Sequence, residues 1–129
     1  MPIIKIPQSA IDRSKPPSDG WHLMKIENFA ETDSKDKGSK NWVFDLVIIE
    51  DGENNGRYTF GRFNSKAVGF LITGGFLPAA YDKPINSEFE FNPDEIIGKE
   101  LYGLVKTEMY EGKPVKKCEE FVTASRPPF

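Results

Sequence analysis

The chain has 129 residues, a formal net charge of −3, one histidine and one cysteine. This length fits a single domain, and a lone cysteine cannot form an internal disulfide. One His and one Cys fall short of the usual zinc ligand sets and of Ser-His-Asp or Cys-His catalysis. We therefore predict a protein that is not an enzyme and needs neither a metal nor another cofactor.

The apolar runs are far shorter than the ~20 residues of a membrane-spanning helix, so we expect no membrane partner. The first ten residues have one lysine, two prolines and no apolar core of signal-peptide length. We accordingly expect the protein in the cytoplasm.

The first 19 residues predict an N-terminal arm. Prolines interrupt this segment at Pro2, Pro7, Pro16 and Pro17, and Ser14 to Gly20 is polar and turn-forming. Whether Ile3, Ile4 and Ile6 pack as an edge strand is left open. We predict an arm over residues 1–19, one β domain over 20–124 and an irregular tail over 125–129.

Three strands follow the arm. The bulky segment Trp21 to Phe29 predicts the first, and the polar segment Ala30 to Lys40 predicts a loop. Asn41 to Glu50 alternates strongly, with apolar residues at its even positions, and predicts the second strand. The Asp-Gly and Asn-Gly pairs of Asp51 to Gly56 predict a hairpin turn into a third strand over Arg57 to Asn64.

The apolar period then changes to that of a helix. Ala67, Phe70 and Leu71 follow helical spacing, so Ser65 to Thr73 predicts one short helix, capped by Ser65 and ended by Gly74 and Gly75. A loop is predicted from Phe76 to Asn86.

The remaining segments predict two more strands. Glu88 to Phe91 is expected to be a short extended piece, and Asn92 to Glu95 a single helical turn with Pro at its first position. Glu100 to Met109 and Pro114 to Thr123 then form strands four and five around a turn at Tyr110 to Lys113. A mostly β protein with this element order predicts a five-stranded OB-like barrel with a short helix between strands three and four. SH3-like barrels and sandwiches also have five strands.

Two segments without acidic residues concentrate positive charge in this acidic chain. Gly56 to Lys66 contains two arginines, a lysine and three aromatic residues, and Lys113 to Lys117 contains three lysines. In an OB barrel the third and fifth strands are neighbours, so both segments share one surface, bordered by the first loop. Single-stranded nucleic acid, whether DNA or RNA, requires this combination, because cations neutralise phosphates and aromatic rings stack on bases.

The strand parity leaves open which face of the third strand is exposed. Tyr58, Phe60 and Arg62 share one face, Arg57 and Phe63 share the other, and both faces carry a cation and an aromatic ring. Strand aromatics more often belong to a core. Trp42 shares its parity with Phe44, Leu46 and Ile48 and is expected to be buried. Cys118 is expected to be a small buried residue and His22 a partly exposed one.

The order of several short motifs resembles a phage and prophage domain family related to single-stranded-DNA-binding proteins. The matching pieces span about 100 of the 129 residues. They are Gly20-Trp21-His22, the loop and strand Ser34 to Val43, Asn55-Gly56-Arg57, Phe63-Asn64, Pro93 to Lys99, Tyr110 to Lys113 and the final strand ending in Phe121.

This resemblance implies an OB-like fold and ssDNA binding during phage replication or recombination, in the cytoplasm of an infected bacterial cell. Arg57, Phe63 and Lys113 fall on matching positions. The chain also ends in Pro127-Pro128-Phe129, which resembles the aromatic tip through which many such proteins recruit replication or recombination partners, but Arg126 stands where acids are usual.

The sequence therefore predicts a protein that binds ssDNA with little sequence preference, with homo-oligomerisation left open. The predicted contacts are Lys35, Lys37, Lys40, Arg57, Tyr58, Phe60, Arg62, Phe63, Tyr110, Lys113, Lys116 and Lys117. The alternative is a protein-interaction module on the same barrel, such as a phage factor that binds a host protein. Its working surface would be the acidic Glu88 to Glu100 region or the proline-rich arm.

Overall fold

A computed structural model describes residues 2–129; Met1, the first residue of the predicted arm, lies outside the described residues. A five-stranded antiparallel sheet dominates this range, in the order β3-β2-β1-β4-β5. The strands are β1 Gly20–Asp33, β2 Lys40–Ile48, β3 Tyr58–Asn64, β4 Glu100–Tyr110 and β5 Lys113–Thr123. All five predicted strands are confirmed, with ends displaced by up to four residues. The predicted extended piece at Glu88 to Phe91 is not a strand.

The inner face of the sheet follows the alternation in the sequence. On β2, Phe44, Leu46 and Ile48 are at most 1% exposed, as their shared parity predicts. Trp42 continues the same parity but is only half-buried, and its indole Nε1 donates a hydrogen bond to Glu31 Oε2 at 2.9 Å. The prediction that Trp42 is buried was wrong, because β1 runs to Asp33 and places Glu31 opposite Trp42 on the partly exposed end of the sheet.

The two edge strands, β3 and β5, face each other without a hydrogen-bonded ladder between them. We call this gap the seam. The sheet is therefore not closed, and the predicted barrel is not confirmed.

Aromatic side chains fill one end of the seam. Phe76, from the segment linking β3 to β4, lies with its ring centroid 5.1 Å from that of Phe63 and 4.9 Å from that of Phe121. The amide of Phe121 donates to the carbonyl of Gly74 at 2.8 Å, and a Cβ on Gly75 would lie 2.2 Å from the carbonyl oxygen of Phe121. The linking segment thus binds the edge of β5 at positions where only glycine fits.

The helices differ from the prediction. Instead of one helix over Ser65 to Thr73, the chain forms a 3₁₀ turn at Ser65–Ala67, a one-turn helix α2 at Phe70–Thr73 and a helix α3 at Phe76–Tyr81, and a further helix, α1, lies in the arm at Gln8–Ser14. The loop predicted from Phe76 was wrong over its first six residues. Burial of four α3 side chains stabilises this helix. Pro78 is tolerated because it lies in the first turn, where the missing N–H costs no helical hydrogen bond.

The linking segment also contains the predicted turn at Asn92. It is a 3₁₀ turn over Pro93–Ile96, and the Asn92 side chain accepts a hydrogen bond from the Asp94 amide at 3.0 Å. Asn64, and not the predicted Ser65, caps the earlier turn, because its side chain accepts from the Lys66 amide. Ile96 is fully buried and anchors the segment to the core.

Buried polar groups fix the second half of the arm to the sheet. The Arg57 guanidinium donates to the carbonyls of Asp12 and Pro16 and to Asn54 Oδ1, while Asn54 in turn bonds Ser18. The first residues of the arm are different. Ile3, Ile4 and Ile6 are 96%, 84% and 64% exposed and form no strand. No helix within residues 2–129 is long and apolar enough to cross a membrane.

Candidate nucleic-acid interface

The structure places Tyr58, Phe60 and Arg62 on the outer face of β3. Both aromatic residues are 42% exposed, and the Arg62 guanidinium lies 5.5 Å from the centroid of the Phe60 ring. This distance is typical of a cation–π contact. Within residues 2–129 Arg62 has no ion pair and no hydrogen-bonded side-chain partner, so its donors face solvent.

Two predicted contacts lie on the inner face instead. Arg57 is 6% exposed, and the backbone carbonyls of the arm and Asn54 occupy its donors. Phe63 packs among Phe44 and Phe76 in the core cluster. This placement argues against Arg57 as a DNA contact, because its guanidinium anchors the arm, whereas Phe63 packs against the core cluster and stays partly exposed. The outer face omits both.

Away from the aromatic end, the seam widens into a cavity of about 500 Å³. Residues of β3 line one wall, and residues of β5 with Tyr110 at the end of β4 line the other. Five predicted contacts line this cavity: Phe60, Arg62, Tyr110, Lys116 and Lys117. The expectation that the two basic segments share one surface is thereby met, although no ladder joins β3 to β5. We call this cavity the open seam.

Acidic neighbours already pair three of the predicted lysines. Lys116 Nζ lies 2.8 Å from Asp19 Oδ1, and this bond is the main reason that the pKa of Asp19 is lowered. Lys117 Nζ lies 3.1 Å from Glu108 Oε2, a contact that raises the pKa of Lys117. Lys40 pairs with Asp33. Ion pairs near the surface are weak, typically about 0–1 kcal/mol.

Lys35, Lys37 and Lys113 are exposed and have no ion pair within the described range of the chain. The first two lie on the loop between β1 and β2. Three bonds hold this loop and the start of β2 against the end of β3. The Lys40 amide donates to Ser65 Oγ at 2.8 Å, and Asn64 Nδ2 donates to Ser34 Oγ at 3.4 Å and to Ser39 Oγ at 3.5 Å. The loop therefore borders the outer face of β3. Lys113 and Tyr110 flank the β4–β5 turn, and Tyr110 is 63% exposed.

The outer face is mixed in charge. The Tyr58 hydroxyl donates to Glu27 Oε1 at 2.8 Å, and this bond is the largest cause of the raised pKa of Tyr58. Asp45 lies across from Phe60 in the β2–β3 register. Free positive charge is thus concentrated at Arg62 and at the two loops, and the middle of the face is nearly neutral.

A second cavity, of about 530 Å³, lies on the other side of Arg62. Its walls are Thr32, Asn41, Val43, Arg62, Phe63 and Asn64. The prediction missed its polar residues, although Asn64 shares the parity of Phe60 and Arg62 on the third strand. That shared parity indicates that Asn64 lies on the same face as Arg62. The two acid-free segments indicate only the cations and the aromatic rings.

His22 and Cys118 have structural surroundings. His22 is 5% exposed, so its predicted partial exposure was wrong; Nε2 lies 2.7 Å from the Ser18 carbonyl and Nδ1 3.1 Å from Glu50 Oε2. The ring joins the arm to the end of β2. Cys118 is buried as predicted, and burial raises its pKa to about 12. Among residues 2–129, no group of three or more His, Cys, Asp or Glu side chains is placed to hold a metal ion.

No family model matches this sequence, and no curated protein matches it. The resemblance to the phage domain family, the absence of enzymatic activity and the cytoplasmic location therefore stay predictions.

Proposed function

We propose that this protein binds single-stranded DNA along the outer face of β3 and the open seam, with little sequence preference. One observation carries the proposal: the open seam brings Phe60, Arg62 and Tyr110 together with Lys116 and Lys117, residues that are up to 57 positions apart in the chain. Cations and exposed aromatic rings in one groove are what a flexible strand of phosphates and bases requires.

Short-range contacts would supply most of the free energy of binding. Stacking on an exposed ring contributes about 1–3 kcal/mol per base, and every base has a face that can stack. Each neutralised phosphate also releases counterions. Charges more than about 8–10 Å from a contact are largely screened, so the overall acidity of the chain matters less than the charges that line the groove, Glu119 among them.

The proposed contact set follows the placement of each side chain. It contains Tyr58, Phe60, Arg62 and Tyr110 on the strands, Lys35 and Lys37 on the first loop, Lys40 at the start of β2, and Lys113, Lys116 and Lys117 near the last turn. We further propose that the sheet is an OB-like barrel that lacks the hydrogen-bonded pairing between β3 and β5. Its strand order agrees with that fold, in which only a β3–β5 pairing would be added.

The biological setting is part of the same proposal. A role in phage replication or recombination, in the cytoplasm of an infected bacterial cell, rests on the resemblance of the motifs alone. Replication or recombination proteins would then be further partners.

Fluorescence anisotropy with a labelled dT oligomer tests the function directly. We expect binding that weakens several-fold between about 50 and 200 mM salt, since several phosphates are contacted. The variant Arg62→Ala should lower the slope of log affinity against log salt by about 1. Arg57→Ala is the matched control, because its guanidinium is buried and should leave the slope unchanged. No binding at micromolar protein and low salt would overturn the proposal.

A second candidate, the protein-interaction module, is favoured by the arm. Ile3 and Ile4 are among the most exposed apolar side chains of the described residues, although buried bonds fix the arm from Asp12 onward. A partner protein could bind the exposed apolar residues at the start of the arm as a peptide, because the rest of the arm is anchored to the sheet. Deletion of residues 2–7 should abolish capture of a host protein and leave dT binding unchanged if this candidate is correct. Capture that survives the deletion would overturn it.

A further inference from the structure

We propose that the cavity beside Arg62 binds one nucleobase and favours bases that carry a carbonyl group, such as thymine, over adenine. We call this cavity the amide pocket, after Asn41 and Asn64. The inference rests on the proposed function and adds to it a bias at one position of an otherwise sequence-tolerant site.

The pocket is built for a flat ligand with a polar edge. Val43 and Phe63 supply apolar surface, while Thr32, Asn41 and Asn64 supply polar groups, and Arg62 separates the pocket from the open seam. Because Arg62 lines both cavities, a strand that passes over it can place neighbouring bases on its two sides.

The orientation of the two amides follows from one backbone group. The Lys66 amide donates to Asn64 at 2.9 Å, so the accepting atom must be Asn64 Oδ1. Asn64 Nδ2 therefore points the other way and donates to Asn41 Oδ1 at 3.0 Å. This bond uses one of the two lone pairs of Asn41 Oδ1, and Asn41 Nδ2 has no hydrogen-bond partner among residues 2–129.

The free polar groups of the pocket are consequently mostly donors. Asn41 offers two N–H groups, and the Arg62 guanidinium offers donors that no described side chain uses. The Thr32 hydroxyl can donate or accept. A ligand edge rich in acceptors satisfies this arrangement, and an edge that presents an amino group leaves donors facing each other.

The bases differ in this respect. Guanine presents O6 and N7, and thymine presents O4, all of which accept hydrogen bonds. Adenine presents its N6 amino group beside N7, a pattern that a glutamine or asparagine recognises only when its carbonyl oxygen is free. Asn41 is poorly placed to recognise adenine in that way, because Asn64 Nδ2 already uses one lone pair of its Oδ1 and fixes the amide. The pocket therefore discriminates against adenine by its fixed amide and not by its size.

Anisotropy titrations with dT and dA oligomers of about 12 nucleotides test the pocket, a length within the ~4–16 nucleotides that one OB fold covers. We expect dT to bind about 5–10-fold more tightly than dA, the effect of one good base contact. Part of that ratio arises from stacking within free dA. The variants isolate the pocket, because they leave the oligomers unchanged.

Asn41→Ala removes the donor and should reduce the dT to dA affinity ratio about 5-fold. Asn41→Asp replaces the donor by an acceptor and should reduce the ratio further. Lys37→Ala is the matched control: it should weaken both oligomers alike and leave the ratio unchanged, since an exposed loop lysine would contact phosphate and not a base. Circular dichroism of each variant checks that the sheet is intact.

Equal binding of dT and dA by the unmodified protein, or a ratio that Asn41→Ala and Asn41→Asp leave unchanged, overturns the pocket and leaves the proposed function intact. Failure to bind either oligomer overturns the proposed function and the pocket with it. The two ideas are therefore separated by the same titrations.

Discussion

The two ends of the seam are made from the same pair of strands and differ in what lies between them. At one end Phe76 packs between Phe63 and Phe121, and Gly75 touches the backbone of β5. At the other end, where Phe60 and Lys116 face each other, a cavity of about 500 Å³ remains. The first end has the contacts of a core, and the second has exposed rings and cations.

Residue type alone therefore does not decide the role of a side chain in this sheet. Both faces of the third strand and its flank carry an arginine and an aromatic ring, but Arg57 is bonded to the arm and Arg62 faces solvent. The closed end should therefore control stability, and the open end should control affinity.

The largest expected effect is on stability at the closed end. Gly75 has φ +86°, and a Cβ there would lie 2.2 Å from the Phe121 carbonyl oxygen, so Gly75→Ala must displace backbone. We expect the free energy of unfolding to fall by about 2–4 kcal/mol, measured by urea denaturation. Gly112→Ala is the control, since φ is +79° and nothing lies within 4 Å. It should cost only about 1–2 kcal/mol, and equal losses would contradict the role of Gly75 at the seam.

The second effect concerns Arg57, the buried cation beside the open end. Arg57→Ala removes hydrogen bonds to two arm carbonyls and to Asn54, so we expect a loss of about 2–3 kcal/mol in urea denaturation and faster proteolysis of the arm. Arg62→Ala should change stability by less than about 0.5 kcal/mol. A reversed order of the two losses would show that the faces of the third strand are assigned wrongly.

The third effect is on affinity. Phe60→Ala should weaken dT binding by about 1–2 kcal/mol, roughly 5- to 30-fold, because one stacking ring is lost. Phe70→Ala is a control with a similar side chain, 66% exposed on α2 and outside the open seam. It should leave the affinity unchanged in the same anisotropy assay. An equal loss for both variants would mean that the open seam is not the binding site.

The smallest effect at neutral pH concerns Cys118, which lines the open seam and is nevertheless buried. Burial raises the pKa of Cys118 from 9.0 to about 12, so below pH 9 the thiol should react with iodoacetamide far more slowly in the folded protein than in denaturant. As pH rises from about 9 toward 12, the unfolded thiol ionises first and stability falls. Cys118→Ala should lessen that fall, and a thiol that reacts at the free rate would show that the seam opens.

Local patterns predicted the strands because burial on one side of a sheet imposes a period of two. Phe44, Leu46 and Ile48 follow that period, and all three are buried in the structure. The helices could not be predicted in the same way. Phe76 and Leu77 form a helix because they fill the end of the seam, a long-range reason that no local pattern around Pro78 contains.

The candidate site was predictable in its location and not in its membership. Two acid-free segments identified the third and fifth strands, and the structure places both at the open seam. The role of Arg57 depended on carbonyls of Asp12 and Pro16, more than 40 positions away, which a pattern of charges cannot indicate. The charge pattern did not indicate Asn41 either, because its place in the site depends on its hydrogen bond to Asn64.

The central position of β1 has a consequence for the order of folding. β2 pairs with one edge of β1 soon after it in the chain, but β4, which pairs with the other edge, begins only at Glu100. During synthesis, the hairpin meander of β1, β2 and β3 is complete while one edge of β1 still lacks its neighbour. Contacts between distant residues make such sheets slow to fold, and an unpaired edge invites pairing with another chain. The linking segment that fills the seam is thus synthesised before the strand it must join, and the last strands to leave the ribosome complete the sheet.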